Sequence, residues 1–214
     1  MDLFSSSDNW PILSILIFLP LAGVLLLPLF GKGQGSKVWA LSVTLAEAVL
    51  SLPLFHGFDV TTANYQFIEN AQWIPSLNIY YTVGVDGISL LLVLMTTLIM
   101  PLCVLCSWRS IKNRTREFFA CILLMETSMV GVFLALDFVL FFLFWEAMLI
   151  PMFLLIGVWG GPRRVYAAVK FFLYTLAASV FLPVAVIVLY LHSSPHTFSI
   201  PALMGQPYPA TMQV

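Results

Sequence analysis

Phe141–Gly160 reads FFLFWEAMLIPMFLLIGVWG, an apolar run containing one ionisable group, Glu146. About 20 such residues at roughly 1.5 Å of rise each match the ~30 Å hydrocarbon layer of a bilayer, so the run predicts a membrane-spanning helix. An acid at the centre of such a helix costs about 2.5–3.5 kcal/mol, and chains carry one mainly where it faces a partner, a cavity or water. Pro151 follows five residues later and cannot donate to the carbonyl of Ala147, so a helix break is expected beside the acid. The plainer alternative is that Glu146 only bonds a neighbouring helix.

The whole chain agrees with this stretch. It is 61% hydrophobic and only 9% charged, against about 25% charged residues in soluble domains. Spans are predicted near residues 10–30, 38–54, 88–108, 118–135, 138–159 and 169–192, which makes residues 1–214 a single membrane domain. The fold class is therefore all-α, a polytopic transmembrane helix bundle with six spans. No basic stretch precedes the first span, where Asp2 and Asp8 stand instead, so that span is expected to be retained rather than removed as a signal peptide. There is no basic patch with interleaved aromatics, and no nucleic-acid partner is expected.

Charge orients the bundle. All 9 Lys and Arg residues fall at alternate connections: Lys32 and Lys37; Arg109, Lys112, Arg114 and Arg116; Arg163, Arg164 and Lys170. By the positive-inside rule these ends face the cytoplasm, or the matrix in an organelle, which puts the N-terminus outside. Asp59, Glu69, Asp137 and all three histidines, His56, His192 and His196, lie toward the opposite ends. Between about Gly57 and Gly84, residues Leu77, Ile79, Tyr81 and Val83 alternate with polar neighbours and predict an external hairpin. Asp86 then opens the third span as its helix cap. Cys103, Cys106 and Cys121 have no histidine near them and read as small buried residues rather than metal ligands or a disulfide.

Three acids lie deep in spans: Glu47, Glu126 and Glu146. Counting rise from the basic ends puts them at roughly 14, 12 and 20 Å in a core about 30 Å thick. Lys170 lies roughly 8–10 Å from its basic end, offset from Glu146 by about 10 Å, so the two would communicate through water or an intervening polar group. A lone carboxyl in hydrocarbon stays protonated, and a nearby ammonium favours its ionised form, so moving a cation loads or unloads the acid. Glu146, Glu126 and Lys170 are thus candidates for proton translocation, and Glu47 is a further candidate. Lys170 has a second reading, in which it snorkels to the interface beside Arg163 and Arg164 and only fixes topology. No phosphate loop, His/Cys cluster or nucleophile triad is present, so no catalytic, metal-binding or cofactor-binding residues are assigned.

At Phe141–Gly161, FFLFWEAMLIPMFLLIGVWGG, at Arg163–Ser179, RRVYAAVKFFLYTLAAS, at Val83–Leu92, VGVDGISLLL, and at Gly131–Asp137, GVFLALD, the chain closely resembles subunit M of proton-translocating NADH-quinone oxidoreductase, respiratory complex I. The resemblance implies an antiporter-like membrane-arm subunit, akin to subunits of multi-subunit cation/proton antiporters and membrane-bound hydrogenases. It implies that Glu146, the acid of the F-W-E motif, is a proton-channel glutamate whose lysine partner stands on a later, broken helix. Glu126 and Lys170 match family positions too. NADH, FMN, iron-sulfur clusters and quinone are expected on partner subunits, with none in this chain; the expected partners are other membrane-arm subunits, including homologous antiporter-like ones, and the lipid bilayer. Some members carry an acid after the Trp-Arg pair of the third span, where this chain has Ser110. The family is built on inverted helix repeats, and Val214 falls inside the first, so the chain is expected to be a fragment or one part of a split subunit. The expected location is a bacterial inner membrane, ahead of the mitochondrial inner membrane. The rivals are an antiporter without redox partners, a hydrogenase-coupled complex and a passive scaffold.

Overall fold

The computed structural model describes residues 11–31, 33–206 and 208. Asp2, Asp8, Trp10, Lys32, Pro207, Pro209 and Val214 lie outside the described residues. Helix α1, Ile12–Leu26, continues as a tight turn over Leu27–Phe30 and is followed by α2, Gln34–Gly57. Strands β1, Gln66–Ile74, and β2, Ile79–Val85, come next, then α3, Gly87–Ser110, α4, Thr115–Leu134, and α5, Phe138–Trp159. Helices α6, Arg164–Ser179, α7, Phe181–His192, and α8, Ile200–Met204, complete the order. Six helical stretches among the described residues are long and apolar enough to cross a membrane, counting α6 and α7 as one.

One expectation about a helix break is corrected. Pro151 does not break α5, which runs continuously from Phe138 to Trp159. A proline removes one donor, and the residues around it hold helical geometry because neighbouring helices supply the packing; Pro20, Pro53 and Pro101 are accommodated in the same way. The last span begins at Arg164 rather than near residue 169, and its hydrogen-bond ladder lapses at Val180, which keeps helical dihedrals of φ −60° and ψ −27°. Pro183, two residues into α7, cannot donate to Ser179, the last residue of α6, and the ladder gives way there.

Helix α4 is the hub, packed against α1, α2, α3 and α5. Within its most apolar window 61% of residues are buried, against 11% for the α6–α7 span, so the last span leaves most of its apolar surface uncovered. At the end bearing the Lys and Arg residues, Lys37 Nζ donates to the carbonyl of Trp108 at 2.5 Å and the Trp159 indole to that of Asn113 at 3.1 Å. Helices α1 and α2 approach closely at Gly23, where a Cβ would stand 2.9 Å from Val43. The indole of Trp39 donates to the carbonyl of the same glycine at 2.8 Å.

At the other end β1 and β2 form an antiparallel hairpin, pairing Asn70 with Thr82 and Gln72 with Tyr80. Leu77 sits in the turn between them, and Asn78 takes the left-handed conformation there, with φ of 52°. The hairpin is anchored to the bundle by Glu69, whose carboxylate accepts the backbone N–H of Leu13 at 2.7 Å and of Ser14 at 3.1 Å. It thereby satisfies free donors in the first turn of α1 from across the chain. Asp86 accepts from the N–H of Ser89 at 2.7 Å while the Ser89 hydroxyl accepts from the N–H of Asp86 at 2.9 Å, a reciprocal capping box for α3.

Asp137 caps α5, accepting from Val139 N–H at 2.8 Å and Leu140 N–H at 3.3 Å, and is 1% exposed. Burial pushes its carboxyl above the ordinary 3.8, against the pull of amide donors from Val139, Leu140 and Tyr80. The folded chain therefore binds this proton more tightly than the unfolded chain does, so the contribution of Asp137 to stability falls as pH rises from 3.8 through the raised value. Asp137→Asn keeps an acceptor for the cap and removes that dependence. Thermal midpoints of the detergent-solubilised protein across acid pH should flatten relative to wild type.

Candidate functional site

Buried residues of α2 recur as Ala40, Val43, Thr44, Glu47, Ser51 and Leu54, a stripe at helical spacing that turns Glu47 inward. On α4 the stripe Phe119, Leu123, Glu126, Val130 and Leu134 does the same for Glu126. Both acids are 0% exposed, and their carboxyl groups face each other across the α2–α4 contact, close enough to interact directly. None of the four oxygens has a hydrogen-bond partner at normal distance among the described residues. Three hydroxyls on the same helices are committed elsewhere: Thr44 donates to the Leu41 carbonyl at 3.1 Å, Ser128 to that of Leu124 at 2.9 Å, and Ser51 pairs with Thr97 at 2.9 Å.

Glu146 stands apart on α5. It is partly buried, and its Oε1 is enclosed without a partner among the described residues. The chain before it is held by stacking of Phe141 on Trp145 at 5.9 Å. A largely apolar cavity of about 620 Å³ runs between α1, α4, α5 and the hairpin, and it reaches Thr127 and Ser128 on one side and Ala147 and Pro151 on the other. It therefore adjoins residues next in sequence to both Glu126 and Glu146, and its wall includes Ala147, whose carbonyl loses its helical donor to Pro151.

Lys170 is exposed, its Nζ 5.9 Å from the centre of the Tyr166 ring. With Arg163, Arg164, Tyr166 and Tyr174 it lines an open cavity of about 700 Å³ at the start of α6. The one ion pair within 4 Å among the described residues is Arg114–Glu117, so Lys170 and Glu146 are not paired here. The expected row of Glu146, Glu126 and Lys170 is thus split three ways: Glu126 with Glu47 inside the α1–α4 cluster, Glu146 on the flank of α5, and Lys170 with two arginines on α6. No sequence signal names a partner for Glu47, yet Thr44, Glu47 and Ser51 on one helical face mark a polar stripe that needs one. No group of three or more metal-ligating side chains occurs among the described residues. Cys121 is buried, Cys103 partly buried and Cys106 exposed, all as free thiols.

A family profile described as NADH-ubiquinone oxidoreductase chain 4, amino terminus, matches residues 15–132, and one described as NADH:quinone oxidoreductase/Mrp antiporter, TM, matches residues 135–211. The chain is 45% identical over 204 residues to NADH-quinone oxidoreductase subunit M of Rhodobacter capsulatus, covering 92% of this chain and 39% of that protein. It is 40% identical over 209 residues to an NAD(P)H-quinone oxidoreductase chain 4 of a Nostoc species, covering 96% of this chain and 39% of that one. Among solved structures it superposes on a chain of respiratory complex I from Thermus thermophilus with TM-score 0.79 and 29% identity, over 92% of this chain and 40% of that chain. A chain of the Mrp complex from a Dietzia species shares the fold, with TM-score 0.75 at 20% identity, over 92% of this chain and 20% of that one. The chain therefore spans 39% of the length of the curated relatives named here. With its six apolar spans and its profile match over residues 15–132, it is a multi-pass membrane protein that belongs to the NADH-ubiquinone oxidoreductase chain 4 family, the subunit M family of the bacterial enzymes.

Proposed function

We propose that this chain is part of a membrane-arm subunit of a proton-translocating NADH-quinone oxidoreductase in a bacterial inner membrane, where it supplies the entry part of a proton channel. Electron transfer from NADH through FMN and iron-sulfur clusters to quinone takes place on partner subunits. The observation that carries this reading is Glu146: a carboxyl deep in a span, with one enclosed oxygen lacking a partner among the described residues, beside a backbone carbonyl freed by Pro151. An acid so placed costs several kcal/mol unless its proton or a cation partner is part of the design. Glu146 exchanges its proton as a cationic partner approaches and withdraws. Glu126 passes protons on its bundle side, and Lys170 acts from the mouth it shares with Arg163 and Arg164, around the cavity of about 700 Å³. That basic mouth faces the cytoplasm and the N-terminus lies outside.

The assembly is tested by isolating the protein from its native membrane in mild detergent and identifying every chain that co-purifies. Flavin and iron-sulfur subunits with NADH-quinone reductase activity are expected. Recovery with small membrane subunits alone, and cation/proton exchange indifferent to NADH, would replace this reading with that of an antiporter.

A further inference from the structure

Glu47 and Glu126 are fully buried, face each other, and have no other hydrogen-bond partner among the described residues, while the Thr44 and Ser128 hydroxyls donate to helix carbonyls. The titratable groups around them are few. Helix α1 presents none, α3 brings Cys103 within electrostatic reach of Glu126, and Glu146 is the acid within α5. No lysine, arginine or histidine among the described residues stands against the pair. Thr127, next to Glu126 and 6% exposed, adds a further buried oxygen without a partner.

Two carboxylates cannot both stay ionised at contact in a low-dielectric interior, and a carboxylate is stabilised there by a donor aimed at it. We infer that Glu47 and Glu126 form one proton-binding unit, which keeps one proton between its two carboxyl groups and takes up and releases a second. In the loaded form each acid carries a proton and the pair is neutral. On release one O–H bond breaks, its proton passes to water reaching the pair, and the remaining O–H donates to the new carboxylate. The neighbouring acid does the work that an ammonium does elsewhere, so this side of the bundle holds a proton-exchange site that needs no lysine. Its place in a translocation route rests on the reading proposed above; its behaviour as one titrating unit does not.

The test is infrared difference spectroscopy of the assembled complex in H2O and D2O, following the carbonyl stretch of protonated carboxylic acids in wild type, Glu47→Gln, Glu126→Gln and the double variant. In a shared unit each single substitution removes its own band and also shifts the band of the remaining acid. The two single-variant difference spectra then fail to sum to that of the double variant. Additive spectra, or no loss of protonated carboxyl signal in either single variant, would overturn the proposal. Should a Gln variant fail to assemble, Glu126→Asp keeps both acids but widens the gap between them; a shifted Glu47 band supports the unit and an unmoved one overturns it. Additive spectra alongside lost pumping in Glu146→Gln would remove the pair alone, whereas normal pumping in Glu146→Gln would remove the functional reading whatever the spectra show.

Discussion

If the chain acts as proposed, Glu146→Gln is expected to stop the proton translocation carried by this subunit while the complex still assembles. Gln fills the same volume and keeps a hydrogen-bonding end group, so the packing of α5 on α4 and α6 has no reason to change. What disappears is the ability to hold and surrender a proton, and Glu146 is the one ionisable residue within Phe138–Trp159. Losing a positioned proton carrier costs about 10²–10⁴-fold in the step it serves. Proton yield per NADH oxidised, in sealed vesicles, should therefore fall to what the other subunits carry. Glu146→Asp retains an acid on a shorter stem and should keep part of the yield. An unchanged yield in the Gln variant would mean that Glu146 is packing glue after all.

The second large effect is structural. Gly131 on α4 lies flat under Phe144 of α5, and an added Cβ would fall 2.5 Å from two atoms of that ring and 2.6 Å from a third. Phe144 is 6% exposed and packed in the cluster that includes Leu134 and Leu140, so the ring cannot swing clear. Gly131→Ala must push α4 and α5 apart, a cost of about 1–3 kcal/mol, and the displaced stretch ends two residues before Glu146. Reduced yield of assembled complex and a lower thermal midpoint are expected, with substantial recovery when Phe144→Leu is added. Gly157→Ala is the contrast, since its Cβ would meet the Ala168 Cβ at 3.4 Å, ordinary contact. Equal behaviour of the two alanine variants would show that the close α4–α5 approach is wrong.

Some of this architecture is local chemistry and was legible as such. Apolar run length sets the spans, alternation at Ile79, Tyr81 and Val83 sets the second strand of the hairpin, and an acid before Gly87 sets the α3 cap, because each depends on residues within a few positions of one another. The proline reading shows where local rules stop. Pro151 and Pro183 each lack the same donor, yet the helix continues through the first and lapses before the second. Pro151 is buried among neighbours that hold the helix, whereas only 11% of the most apolar part of the α6–α7 span is buried.

The candidate site divides in the same way. That three acids fall inside long apolar runs follows from the sequence alone, since position along a helix is a matter of rise per residue. Which acids meet is set by helix rotation and by which helix packs beside which, and those are decided by the fit of side chains around α4. Tertiary packing alone brought Glu47, 79 positions earlier in the chain, to Glu126 and left Glu146 apart from both, because contact across helices is a property of shape that no single stretch of chain encodes.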